Sequence, residues 1–157
     1  MNPCFAAEKT LGKLAKWLRI LGFDTSYESN FSNSTAWQPA DAKRIFLTRT
    51  QSRRDKTSSS NLIFIKSDHL FEQLKEVIQT LALEHKDTRP FSRCLQCNTA
   101  IEAVDKDSVR NAVPDYIWET HDTFRRCRRC RKIYWPGSHT KRTMDIIEGL
   151  FTDKKMG

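Results

Sequence analysis

The chain has 157 residues and five cysteines, and its 27 Lys and Arg against 19 Asp and Glu leave a formal net charge of +8. That length holds one ordinary domain, or a small core domain plus a metal-stapled module too small to fold alone. No apolar run approaches the roughly 20 residues of a membrane span and no charged-then-apolar leader is visible, so a cytoplasmic protein with no membrane partner is expected, and its positive charge points to polyanions, nucleic acid first among them.

Cys4-Phe5-Ala6-Ala7 reads as a short apolar strand ending at Glu8. Leu11, Leu14, Ala15, Leu18 and Leu21 then recur at helical spacing, with Lys9, Lys13 and Lys16 on the opposite face. A solvated helix face accounts for that lysine row, and Lys9 and Lys13 are also candidate phosphate contacts. Gly22 stops the helix, and Phe23-Asp24-Thr25 leads into a second strand through Tyr27. Residues 29 to 42 show no period and read mostly as loop. Ile45-Phe46-Leu47-Thr48 is a buried-strand candidate; the basic, serine-rich tract that follows, from Arg49 to Ser60, is expected to be a mobile surface loop, with Arg49, Arg53 and Arg54 as candidate nucleic-acid contacts. Leu62-Ile63-Phe64-Ile65 is the next strand, and Ser67 is the expected N-cap of a helix carrying Leu70, Phe71, Leu74, Val77, Ile78 and Leu81.

Strands alternating with helices predict a parallel sheet with helices packed on it, because parallel neighbours need crossover connections. Sites in such sheets lie beyond the carboxyl ends of the strands. Glu8, the Arg49-Thr50 segment and Asp68 each follow a predicted strand, so all three are candidates for one crevice, with Glu8 and Asp68 as its carboxylates.

A charged linker from Glu84 to Arg89 leads through Pro90 to two Cys-x-x-Cys knuckles, Cys94 with Cys97 and Cys127 with Cys130. Their spacing fits four-sulfur coordination of structural zinc. A secreted disulfide scaffold would come with a denser cysteine framework, and a redox dithiol with a strand-to-helix junction, and the sequence has neither. Cys4, the odd cysteine, should behave as a small hydrophobe, and His121 and His139 are not needed to complete a four-cysteine set. Between the knuckles, Asp105 to Arg110 predicts a short helix stopped near Pro114, and Tyr116 to His121 a strand. Beyond the second knuckle, Lys132 to Trp135 predicts another strand and Met144 to Phe151 a short helix docking back. The expected division is an α/β domain over 1–86 and a zinc-ribbon domain over 87–157.

Arg125, Arg126, Arg128, Arg129, Arg131 and Lys132 crowd the second knuckle. Six cations on one tight loop repel one another unless a polyanion or nearby acids neutralise them, which makes the ribbon the expected nucleic-acid contact. Trp118, Phe124, Tyr134 and Trp135 are expected to build the ribbon core, with at most one serving as a base platform.

The run from Phe5 to Arg19, with Leu47-Thr48-Arg49, Pro90-Phe91-Ser92-Arg93-Cys94 and Tyr134-Trp135-Pro136-Gly137-Ser138-His139, resembles the Mut-seven carboxy-terminal ribonuclease domain family over nearly the whole chain. The resemblance implies a PIN-like three-layer α/β/α sandwich with a parallel sheet, followed by a four-cysteine zinc ribbon. It also implies RNA as substrate and hydrolysis by magnesium or manganese held among several carboxylates, as hard cations near a phosphate require. The chain departs from that pattern at the acids. Glu8 stands where the family usually has Asp, the stretch Phe31-Ser32-Asn33-Ser34-Thr35 lacks the acids expected there, and Thr50 stands where an Asp is expected. The expected function is thus binding of RNA or a ribonucleoprotein through a scaffold with a degenerate acidic site. It needs structural zinc, magnesium or manganese only if the site is active, and no small-molecule cofactor. An active endoribonuclease and a protein-interaction adaptor are the alternatives.

Overall fold

β1 (Cys4–Ala7) is an inner strand of a four-stranded parallel sheet in the order β2-β1-β3-β4, with β2 at Thr25–Tyr27, β3 at Arg44–Thr48 and β4 at Leu62–Phe64. The computed structural model describes residues 2–27, 43–51 and 61–152. Arg53, Arg54 and the stretches expected as loops at 29–42 and 52–60 lie outside the described residues.

Period-two alternation sends Phe5, Ala7, Leu47, Ile63 and Ile65 into one apolar cluster. That cluster is shared with Leu14 and Leu18 of α1 (Gly12–Ile20) and with Leu74, Val77 and Ile78 of α2 (Leu70–Leu81). Ala6 and Phe46 alternate to the opposite side and are buried as well, so the sheet is covered on both faces, as a parallel sheet demands. A mixed α/β fold with a parallel sheet, as expected, is what the chain adopts.

α2 begins later than the sequence predicts. Its N-cap is His69, and Ser67 instead accepts the His69 N–H at 3.0 Å. Glu76 explains the shift: its carboxylate reaches back to the N–H groups of Lys66 and Ser67 at 2.9 and 3.0 Å, so the turn after β4 is satisfied from within the helix.

The stretch after α2 is pinned rather than linker-like. A single 3-10 turn at His85–Asp87 is closed by reciprocal bonds between Glu84 and Asp87, and the N–H groups of Arg89 and Phe91 donate to the carbonyls of Leu21 and Ile20 at the end of α1. Beyond it, β5 (Ile101–Val104), β6 (Phe124–Cys127) and β7 (Ile133–Tyr134) form an antiparallel sheet. The predicted strand at Tyr116 to His121 is instead a helix, α3 (Asp115–Thr120). Pro114 precedes it as cap and accepts the N–H groups of Ile117 and Trp118, which pack beside Val109, Val113 and Phe124 in a second small core. The final helix, α4 (Ser138–Thr152), is longer than predicted, and its Ile147, Leu150 and Phe151 enter the core of the parallel sheet. No helix among the described residues is long and apolar enough to cross a membrane.

Five polar side chains weld the first knuckle to the parallel sheet. Arg19 is buried, 7% exposed, and donates to the carbonyls of Thr25 at 2.9 Å and Leu95 at 2.8 Å. Asn98 accepts the Thr25 N–H at 2.9 Å and donates to Asp24 at 2.7 Å, while Arg44 pairs with Asp24 at 2.9 Å. Arg93 donates to the carbonyls of Gly22 and Asn98 at 3.1 and 2.6 Å. Burial alone would raise the Asp24 pKa, but hydrogen bonds from Arg44 and Asn98, with the charges of Arg44 and Arg93, outweigh it and hold the carboxyl below its ordinary 3.8. A carboxyl depressed in the folded state contributes stability that is present above the unfolded value and lost as pH falls through the folded one. The stability gap between the unaltered chain and Asp24→Asn is therefore expected to narrow as pH drops below the ordinary value of 3.8, read by denaturant titration from pH 7 downward.

Candidate functional site

The two knuckles are structural twins. In each, the second residue-to-sulfur turn is held by backbone N–H donors: Cys97 donates to the Cys94 sulfur at 3.4 Å, and Arg129 and Cys130 donate to the Cys127 sulfur at 3.3 and 3.4 Å. The residue after each knuckle, Asn98 or Arg131, takes a left-handed conformation, φ 66 and φ 64. This geometry brings all four sulfurs within 4.8 Å of one another, with Cys94 and Cys130 at 3.7 Å. Tetrahedral zinc with bonds of about 2.3 Å spaces its sulfurs about 3.8 Å apart, so the cluster is compatible with structural zinc.

Electrostatics also call for a cation there. Burial opposes the Cys127 thiolate, yet hydrogen bonds from the Thr99 hydroxyl and the N–H groups of Cys130 and Arg129 outweigh it and bring the thiol down to about 6. Burial and then hydrogen bonding with the other sulfurs push Cys97 up to about 12. Four crowded sulfurs cannot all ionise without a metal to share their charge. Tyr134 completes the surround, donating to the Cys94 sulfur at 3.2 Å and accepting the Leu95 N–H at 3.1 Å.

The cations expected at the second knuckle are not equivalent. Arg128 is bonded to Glu102 across the sheet, and Arg126 lies opposite the same residue. Arg125 donates to the Phe91 carbonyl at 3.3 Å, and Lys132 lies 5.4 Å from the centre of the Tyr134 ring. Arg129 and Arg131 are exposed and make no ion pair among the described residues. Arg131 holds a conformation that costs a side chain about 1 kcal/mol and that Gly adopts freely. Arg131→Gly should raise stability by roughly that amount while weakening polyanion binding, a trade-off readable from paired thermal melts and filter-binding curves.

At the other candidate site, β2 lies on one side of β1 and β3 on the other, so the sheet changes its direction of growth between β1 and β3. Crevices form beyond the carboxyl ends of strands at such a point. Glu8 sits there, 2% exposed, accepting hydrogen bonds from the hydroxyls of Thr10 and Thr48, and from Thr50 at 3.1 and 3.2 Å. Thr48 in turn accepts the Thr50 N–H at 2.9 Å. The structure thus unites Glu8 with the residue after Arg49, but Asp68 does not join them: it is exposed and its carboxylate faces His69 at 3.5 Å. Among the described residues the four cysteines are the one group of three or more His, Cys, Asp or Glu placed to share an ion. Among the described residues Glu8 joins no such group and accepts threonine hydroxyls instead, an arrangement that does not fit a magnesium or manganese pair, whose charge needs several carboxylates.

Thr10 and Thr48 are partners of Glu8 that the sequence pattern does not single out, although both lie within three residues of a strand end, where side chains converge. Lys9, Lys13 and Arg49 are exposed around this end of the sheet. No curated protein and no solved structure gives a significant match. A family model described as the Mut7-C RNAse domain matches residues 3–147, and the chain belongs to that family.

Proposed function

We propose that the chain binds RNA, or a particle containing RNA, through a zinc-stapled basic ribbon, and that its switch-point pocket has lost the ability to cut phosphodiesters. Family membership supports an RNA-related role, and the Thr50 hydroxyl bonded to Glu8 carries the second half of the reading. A second carboxylate at position 50 would repel Glu8 and require a cation between them; a hydroxyl there donates to Glu8 and removes that requirement. Two facing carboxylates make a metal trap, whereas a carboxylate facing a hydroxyl does not.

RNA binding is expected to weaken steeply with salt, and Arg129→Ala should flatten the plot of log affinity against log salt by about 0.7 for a single-stranded contact. Arg128→Ala should flatten it less, because its guanidinium already serves Glu102. Incubation of single-stranded and structured RNA with the chain in magnesium or manganese should yield no product above buffer. Robust cleavage lost in Glu8→Ala would establish an active endoribonuclease instead. Ribonuclease-insensitive capture of an acidic protein, with no affinity for RNA, would make the ribbon an adaptor.

A further inference from the structure

Beside the basic fingertip lies a groove of about 270 Å³ that shares no residue with the Glu8 group. Its walls include Phe91, Leu95, Tyr134 and Trp135, and its polar members include Arg93 and Arg125. Among the described residues lining it there is no Asp or Glu. The volume falls just below the roughly 300–1,000 Å³ of pockets that enclose drug-sized ligands, which leaves room for one ring system and its sugar.

The two arginines play different parts. Arg93 is committed to the carbonyls of Gly22 and Asn98, so it belongs to the weld between sheet and knuckle. Arg125 is exposed and uses one N–H on the Phe91 carbonyl, which leaves most of its five donors facing solvent. The Tyr134 hydroxyl is likewise spent, on Cys94 and Leu95, so that residue offers the groove its ring rather than its oxygen. An apolar slot with aromatic walls, a largely solvent-facing guanidinium at its side and no acid among the described lining residues suits a flat ring attached to an anion.

We propose that this groove receives one unstacked base of single-stranded RNA, with Arg125 on an adjoining phosphate; the inference rests on the RNA reading above and adds to it a preference for single strands. Sequence-tolerant stacking on aromatic side chains, combined with cations that follow the backbone, is how proteins hold single strands. A duplex, whose bases are paired and stacked, cannot supply the ring.

The test uses the full zinc-loaded chain, an eight-nucleotide single strand, a blunt duplex of the same sequence and polyphosphate as a base-free polyanion. Thr123 lines the groove, is exposed and makes no hydrogen bond among the described residues, so Thr123→Phe fills the slot without removing charge. The expected result is an affinity for the single strand lowered about tenfold, within the range of one lost stacking contact, with polyphosphate and duplex binding unchanged. A strand carrying 2-aminopurine at each position in turn should lose fluorescence on binding the unaltered chain, which needs no substitution at all. Single-strand affinity untouched by Thr123→Phe, or 2-aminopurine emission unchanged at every position, overturns this inference and leaves the RNA reading standing. Failure of the unaltered chain to bind any RNA overturns both.

Discussion

Cys127→Ala is expected to yield a chain without stoichiometric zinc in which the C-terminal sheet no longer melts cooperatively. Cys127 is fully buried, its sulfur accepts two N–H donors and a hydroxyl contact, and it closes a cluster whose members are all within 4.8 Å. Structural zinc sites contribute about 10–16 kcal/mol of apparent binding free energy, and that energy is folding energy for modules of this size. The local alternative is weak: the second core rests on Val109, Val113 and Phe124, with four partly buried side chains and Val104 around them. Loss should not stop at the ribbon, because Leu95 and Asn98, which receive Arg19 and clamp Thr25, are placed by the first knuckle. Elemental analysis with thermal melts checks this, and Cys4→Ala, at the cysteine outside the cluster, should leave zinc content unchanged. Stoichiometric zinc retained in Cys127→Ala would show that three sulfurs suffice and that the fourth is dispensable.

Gly22→Ala should be the most damaging single methyl in the α/β unit. Gly22 has φ 96, and an added Cβ would stand 2.4 Å from the carbonyl oxygen of Arg89, a backbone atom that cannot swing aside. A left-handed L-residue costs about 1–2 kcal/mol and overpacking about 1–3 more, giving a loss of about 3 kcal/mol. For a chain of this size that is a fall in Tm of roughly 6–12 °C. The contact also locks the segment after α2 onto α1 through the Arg89 N–H to Leu21 at 2.8 Å, so relief by backbone movement would break that bond. Gly149 in α4 is the matched control: nothing lies within 4 Å of its missing Cβ, and Gly149→Ala should stabilise by about 0.5–1 kcal/mol through helix propensity.

Much of the fold was legible because the signals are local. The β1-α1-β2 unit announces itself through a four-residue apolar run, a helical leucine stripe and a stop glycine, and the knuckles through spacing alone. Where local signals conflict, the stronger terminator won. Tyr116-Ile117-Trp118 has the residue types of a strand, yet Pro114 and Asp115 open a helix, and its Ile117 and Trp118 are drawn into the small core. β5 is not legible although Ile101-Glu102-Ala103 alternates, because four residues between a knuckle and a turn hold too little pattern to stand out. Least legible were the long-range partners. Arg19 meets Leu95 across 76 positions and Thr25 meets Asn98 across 73, and no periodicity records such meetings. The missing acids were visible in the sequence, but the closing of Thr10, Thr48 and Thr50 over Glu8 was not, since it depends on which strand ends are neighbours.

β2 is an outer strand of the parallel sheet among the described residues, and Thr25 turns both its N–H and its carbonyl away from β1. Asn98 takes the first and Arg19 the second, so a strand from a neighbouring molecule finds no open ladder at that position. Asn98 follows directly on the four-cysteine cluster, so loss of that cluster is expected to uncover this margin to a neighbouring strand. Chelator-treated protein should form β-rich aggregates nucleated at this margin before its sheet comes apart.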